Sequence, residues 1–175
     1  MKTLILLFSS IVLFQATSSA GVLLDPYVGY AVSGNNGGSS VTGYDAGLRL
    51  GLSNLGLGAG VDVTLAGKYS YKNSTTSTTD DGKPLHTGVF VSYDFPVLVR
   101  GYATYFINSK VTTDTATITG NGTKLGIQYT GLPLVAVGIE LYTMKYTEVE
   151  TAGIKVSTSG SETQTRIAIS IPIVL

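Results

Sequence analysis

Seven charged residues share one feature: Asp45, Arg49, Asp62, Arg100, Lys124, Glu140 and Arg166 each stand on the small or polar parity of an alternating stretch. Both signs are present. A lone buried charge is costly, so groups turned to one interior must pair. Two chemistries fit. One is a salt-bridge network that fills the interior, with Arg49, Asp62, Arg100, Glu140 and Arg166 at its core. The other is a narrow charge-gated pathway, since interior charges tune selectivity in wider barrels. His86 is the single histidine. A hydroxyl nucleophile needs a general base with a positioned partner, and no serine or carboxylate stands at a spacing that supplies one. The sequence therefore names no catalytic residue. Asp80 and Asp81 are adjacent acids in a polar stretch; calcium needs about six to eight oxygen ligands, so solvation explains them. With no cysteine, disulfides and cysteine-based metal sites are excluded. The glycines alternate within extended stretches instead of opening a helix, so no phosphate loop is formed. No cofactor and no metal are expected. Balanced charge and the lack of a basic, aromatic-studded surface exclude nucleic acid.

The elements that position these side chains are strands. No amphipathic helix is legible, whereas period-two alternation recurs. Eight strands are expected: about 26–33, 42–52, 57–71, 85–93, 97–110, 118–130, 134–148 and 163–175. The connections alternate in length. The stretches 34–41, 72–84, 111–117 and 149–162 are long or moderately long and polar, while 53–56, 94–96 and 131–133 are short. An up-and-down meander then carries long loops at one end and tight turns at the other, as transmembrane barrels with long extracellular loops and short periplasmic turns do. Proline agrees, because it has no N–H for a ladder. Pro96 and Pro133 fall in short turns, Pro26 and Pro172 near strand ends, and Pro84 in the second long loop.

Volume decides which parity faces inward. Eight strands close around an interior just wide enough for side chains. The rows Leu48/Leu50/Leu52, Val61/Val63/Leu65, Val89/Val91, Leu125/Ile127, Val137/Ile139/Leu141 and Ile167/Ile169/Ile171/Ile173 would overfill it. Turned outward they meet lipid, where only a closed barrel satisfies the backbone of strands. A soluble ligand-binding barrel, with the aliphatics inside, is the inverted alternative. Charged residues make up 13% of the 175-residue chain, against about 25% for soluble domains. Aromatic residues band at two levels on the aliphatic parity: Tyr44, Tyr69, Tyr71 and Tyr105 toward the long loops, and Tyr93, Phe95 and Tyr129 toward the short turns. Such girdles mark membrane edges. Met1 to Ala20 reads as a cleaved secretory signal peptide, with Lys2, the apolar run 4–14 and Ser18-Ser19-Ala20. The barrel domain is then 21–175.

The leader, the eight alternating segments, the loop asymmetry and the terminal "RIAISIPIVL" resemble the small eight-stranded outer-membrane barrels, the OmpA transmembrane-domain, OmpX-like and OmpW-like group. The resemblance covers the whole of 21–175 and implies an all-β, antiparallel, up-and-down transmembrane barrel in the outer membrane of a Gram-negative bacterium. It implies outer-membrane lipids and lipopolysaccharide as partners, with the barrel-insertion machinery during biogenesis. Members usually end in an aromatic residue, where this sequence has Leu175. Asn73-Ser74-Thr75 and Asn121-Gly122-Thr123 match the N-glycosylation pattern, by chance in a bacterial setting. The expected role is non-enzymatic, structural or surface-interacting through the loops. A narrow porin-like channel for small or hydrophobic solutes is the alternative, and an acyl-chain enzyme using His86 a further one.

Overall fold

The computed structural model of the protein describes residues 21–73 and 78–175. The expected leader, 1–20, lies outside the described residues, as do Ser74 and Thr75 of the first sequon. Eight long strands follow one another: β1 (Gly21–Asn36), β2 (Ser39–Asn54), β3 (Leu57–Asn73), β4 (Thr79–Phe95), β5 (Val99–Thr113), β6 (Thr117–Leu132), β7 (Val135–Thr151) and β8 (Ile154–Ser170). Each pairs antiparallel with its neighbours, and β1 pairs with both β2 and β8. The sheet is thus a closed eight-stranded meander with no free lateral edge, which gives every strand a partner on both sides. We call the end that holds Gly21 and the turns at Leu55, Leu98 and Leu134 the near end, and the other the far end.

Three expectations change. The last strand, expected to run to Leu175, stops at Ser170; β9 (Ile173–Val174) resumes its line against Leu23 and Leu24 of β1. Pro172 cannot donate to a ladder. Ile171 N–H and Leu175 N–H keep the seam shut by donating to Pro26 C=O and Val22 C=O, each at 3.0 Å. Second, the long polar loops are largely strand. Between β1 and β2 only Gly37 and Gly38 turn, and between β7 and β8 only Ala152 and Gly153. These Ser/Thr-rich ends favour extended backbone but face water on both sides, as the exposed run 154–159 shows. They therefore carry no alternation to read. At the tip Lys155 Nζ donates to Glu148 at 2.8 Å, which raises the ammonium pKa above its ordinary value, helped by the negative charges of Glu148 and Glu150.

Third, each strand that runs toward the far end carries an inserted residue. Registers slip at Val32 in β1, Leu65 in β3, Ile107 in β5 and Thr147 in β7. A bulge sets two residues against one and inverts the parity beyond it. Pro84, expected in a loop, lies inside β4 opposite the β3 bulge, where the β3–β4 ladder is interrupted between Thr64–His86 and Tyr69–Gly82. Its missing N–H costs no hydrogen bond there.

The β7–β8 turn holds Ala152 at φ 51° and Gly153 at φ 81°, the two-residue arrangement that favours Asn-Gly. A Cβ-bearing Ala is strained at positive φ. Ala152→Asn is expected to raise stability by about 0.5–1 kcal/mol. Urea midpoints in detergent micelles check this; an unchanged or lower midpoint would show that the turn is not limiting.

Candidate functional site

The interior is built from the inward parity of all eight strands. The seven sequence-selected charges, Asp45, Arg49, Asp62, Arg100, Lys124, Glu140 and Arg166, are all buried there, none more than 5% exposed. They do not form the single five-residue core expected of Arg49, Asp62, Arg100, Glu140 and Arg166. They separate into clusters along the barrel.

At the near end Arg100 makes a two-pronged bond to Asp94, its Nε at 2.6 Å and Nη2 at 2.8 Å. Arg100 also lies 3.7 Å from Asp25, and Asp25 in turn holds Arg49 Nε at 3.0 Å. Asp25 escapes sequence reasoning because the predicted first strand begins after it; extending that strand by one period would have found it. The Arg49 guanidinium lies over Tyr102, 4.1 Å from the ring centre. In the middle Asp62 gathers Lys124 Nζ at 2.5 Å, Tyr27 OH at 2.8 Å and Thr104 Oγ1 at 2.8 Å. Beside it Tyr102 OH donates to Glu140. Further along, Arg166 forks onto Asp45, its Nη1 at 2.7 Å from Oδ2 and its Nη2 on Oδ1. Tyr69 OH closes that cluster, donating to Asp45 at 2.7 Å and accepting from Arg166 at 2.9 Å. Toward the far end Glu162 accepts from Tyr146 OH at 2.9 Å, from Asn36 at 3.3 Å and from Gln164.

Aromatic rings fill the space between these clusters, which the expectation of a small-residue interior did not foresee. Tyr27, Tyr69, Phe90, Tyr102, Phe106, Tyr142 and Tyr146 are all buried. Glycine makes room for them: a Cβ on Gly126 would strike the Tyr102 ring, and one on Gly47 the Tyr27 hydroxyl. Lys124 and Arg166 each lie 4.2 Å from a ring centre, those of Tyr27 and Tyr142, so cation–π contact supplements the ion pairs.

His86 is also interior, and its Nδ1 is 2.9 Å from Ser109 Oγ. Sequence reasoning could name no partner because Ser109 lies beyond the Ile107 bulge, on the parity that reads as outward. The pair is a hydroxyl beside an imidazole, but both residues are at most 1% exposed and packed by Tyr69, Phe106 and Tyr142. Among the described residues no group of three or more His, Cys, Asp or Glu could hold a metal ion.

The exterior is an apolar wall. Leu125, Ile127, Ile139, Leu141, Ile167 and Ile169 are about half exposed. Of the selected aromatics, Tyr44, Tyr105, Phe95 and Tyr129 are on this wall. Tyr93 is half-buried and edge-on to Phe95 at 4.8 Å. Tyr69 and Tyr71 are not girdle residues. The Leu65 bulge turns them inward, Tyr69 onto Asp45 and Tyr71 against the Phe106–Tyr142–Tyr146 cluster. Tyr30, paired with Tyr44 and exposed, stands on the wall beside it.

No protein-family model matches the chain, and no curated protein matches its sequence. Among solved structures it is similar to Neisserial surface protein A (NspA), with 17% identity over 88% of this chain and 99% of that one and a TM-score of 0.54. It is also similar to the outer membrane protein OprG from Pseudomonas aeruginosa, with 9% identity, 89% and 96% coverage and a TM-score of 0.43. A third is the outer membrane protein AlkL in DMPC lipid bilayers, with 13% identity, 89% coverage of both chains and a TM-score of 0.43. By fold, the chain is an all-β, eight-stranded, antiparallel, up-and-down barrel of the kind that NspA has.

Proposed function

We propose that the protein is a non-enzymatic, integral barrel of a bacterial outer membrane, that its lumen is closed by its own side chains, and that it acts through the strand extensions at its far end. One observation carries this reading: the inverted distribution of side chains. Ion pairs and tyrosines are inside, and about half of each aliphatic side chain is open on the outside. That wall would be an aggregation liability in water, and it is the lipid-facing band of a membrane barrel. Exposed aromatics stand at both of its ends. The stacked clusters, from Arg100–Asp94 through Lys124–Asp62 to Arg166–Asp45, support a closed lumen. So does the sealed His86–Ser109 pair for a role without catalysis.

A narrow hydrated channel is the second reading. It is favoured by Gln128, whose side-chain amide is buried with neither atom in a hydrogen bond among the described residues, and by Ser170 Oγ in the same condition. Buried polar atoms of this kind are usually met by water.

Planar-bilayer recording separates the two. A closed lumen gives no steady conductance, and stepwise openings in the unmodified protein would favour the channel. Glu140→Gln extends the test. It removes the charged acceptor of Tyr102 and is expected to cost about 1–2 kcal/mol, seen as a lower temperature for the gel-mobility shift of the folded barrel. A conductance that rises while that temperature is unchanged would contradict the closed plug and favour the channel.

A further inference from the structure

The cationic side chains of the described residues are sorted by type, Lys124 apart. Arg49, Arg100 and Arg166 are buried, and so is Lys124, whereas Lys68, Lys72, Lys83, Lys110, Lys145 and Lys155 are exposed. Three of the exposed lysines lie on three consecutive strands: Lys68 on β3, Lys83 on β4 and Lys110 on β5. The register brings them together. Lys68 adjoins Tyr69, which pairs with Gly82 next to Lys83; Lys83 pairs with Thr112, and Lys110 with Leu85, two residues from Lys83.

The outer wall is indented at this point, and the fold explains why. The β3–β4 ladder is open beside the Leu65 bulge, and Pro84 has no N–H to close it. The result is a cleft of about 540 Å³ that Tyr44, Lys68, Asp81, Lys83, Thr112 and Asp114 help to line. Lys68 Nζ lies 2.7 Å from Asp81, which also accepts from Ser70 Oγ at 2.7 Å. Lys68 and Lys83 line the cleft and are matched in charge by Asp81 and Asp114, Asp81 tethers Lys68 at its wall, and Lys110 stands beside it, two residues from Thr112. Beside the cleft the wall is apolar, with Leu65 and Leu85 exposed.

We propose that this cleft binds the phosphate of a phosphorylated membrane lipid, with ammonium groups on the phosphate and acyl chains laid along the wall past Leu65 and Leu85. Lysine suits this place. Its stem lies along apolar surface while its head reaches the polar boundary, and each such charge contributes measurably to attraction toward anionic headgroups. The proposal rests on the reading of the outer wall as lipid-facing.

The test uses the full chain, extracted and folded in a neutral detergent, with folding verified by the gel-mobility shift. Bis-phosphorylated lipid A, its dephosphorylated form and inorganic phosphate are titrated by native mass spectrometry. One bound lipid A is expected, with the dephosphorylated form and inorganic phosphate both at least about tenfold weaker. Combining Lys68→Gln, Lys83→Gln and Lys110→Gln should weaken lipid A binding by at least about tenfold. Combining Lys72→Gln, Lys145→Gln and Lys155→Gln, the same change of charge elsewhere, should alter it by less than about twofold. Asp81→Asn, which removes an opposing charge, should tighten it, and this variant decides the matter if the first triple variant does not fold. Equal loss in the two triple variants would reduce the effect to general charge. Equal binding of the dephosphorylated lipid would leave the acyl chains alone, and displacement by inorganic phosphate would make this a free-anion site; each overturns the proposal. A protein that never inserts into detergent or bilayer would instead sink the membrane reading.

Discussion

Asp45→Ala is expected to destabilise the barrel by about 3–5 kcal/mol, the cost of leaving a buried charge without its partner. Asp45 and Arg166 are both 0% exposed. The guanidinium forks onto the carboxylate while Tyr69 bridges the two. Removing the carboxylate leaves Arg166 beside the Tyr142 ring, 4.2 Å from its centre, a contact too weak to offset an unpaired cation. The pair itself need not be worth that much. Apolar replacement of both partners of a buried ion pair is often neutral or stabilising. Asp45→Leu with Arg166→Met should therefore recover most of the loss. Urea unfolding in micelles, followed by circular dichroism, measures both. A loss below about 1 kcal/mol for Asp45→Ala would show that solvent reaches the cluster. A double variant as unstable as the single would show that the cost lies in packing and not in charge.

The second large effect is expected on the opposite face. Leu125 is 55% exposed, so in a water-facing protein Leu125→Arg would change stability by about 0.5 kcal/mol or less. It lies four residues, about 13 Å along the strand, from Tyr129, toward the middle of the wall, and pairs with Ala103 and Leu141. In a bilayer the same substitution should cost about 2–4 kcal/mol. Folding into phosphatidylcholine vesicles across a urea series gives the number. A cost near zero would place this wall in water and return the soluble barrel to consideration.

Much of the fold was legible because one interior and one exterior impose period two on every strand that separates them. Leu48, Leu50 and Leu52 alternate with Arg49 and Gly51, and no other element explains that row. The charges were found for the same reason: a charge among glycines opposite a row of leucines must be inside. What could not be read had a common cause. Period-two reading assumes an unbroken phase, and an inserted residue leaves no mark of its own in composition. Tyr69, Tyr71 and Ser109 were mistaken or missed because each lies beyond such an insertion. Asp25 and Glu162 were missed where strands run past the range over which alternation shows. Partners within the interior were not legible either. Arg166 faces Glu140 in register, yet its ion pair is with Asp45 of β2, because a closed barrel brings together side chains that pairing along the ladder does not.

The bulges on the four rising strands have a consequence for how such a barrel can vary. Each rising strand carries one, at Val32, Leu65, Ile107 and Thr147, so the phase on which the strand enters is not the phase on which it leaves. The collar at the far end is therefore keyed to the body by four single-residue spacers. A hairpin exchanged together with its spacer keeps its inside and outside. One exchanged without it would be turned over, its tyrosines to the lipid and its lysines to the lumen. Diversity at this rim is gated by phase before it is gated by chemistry: the segments most open to change can be recombined as cassettes only when the cut falls below the bulge.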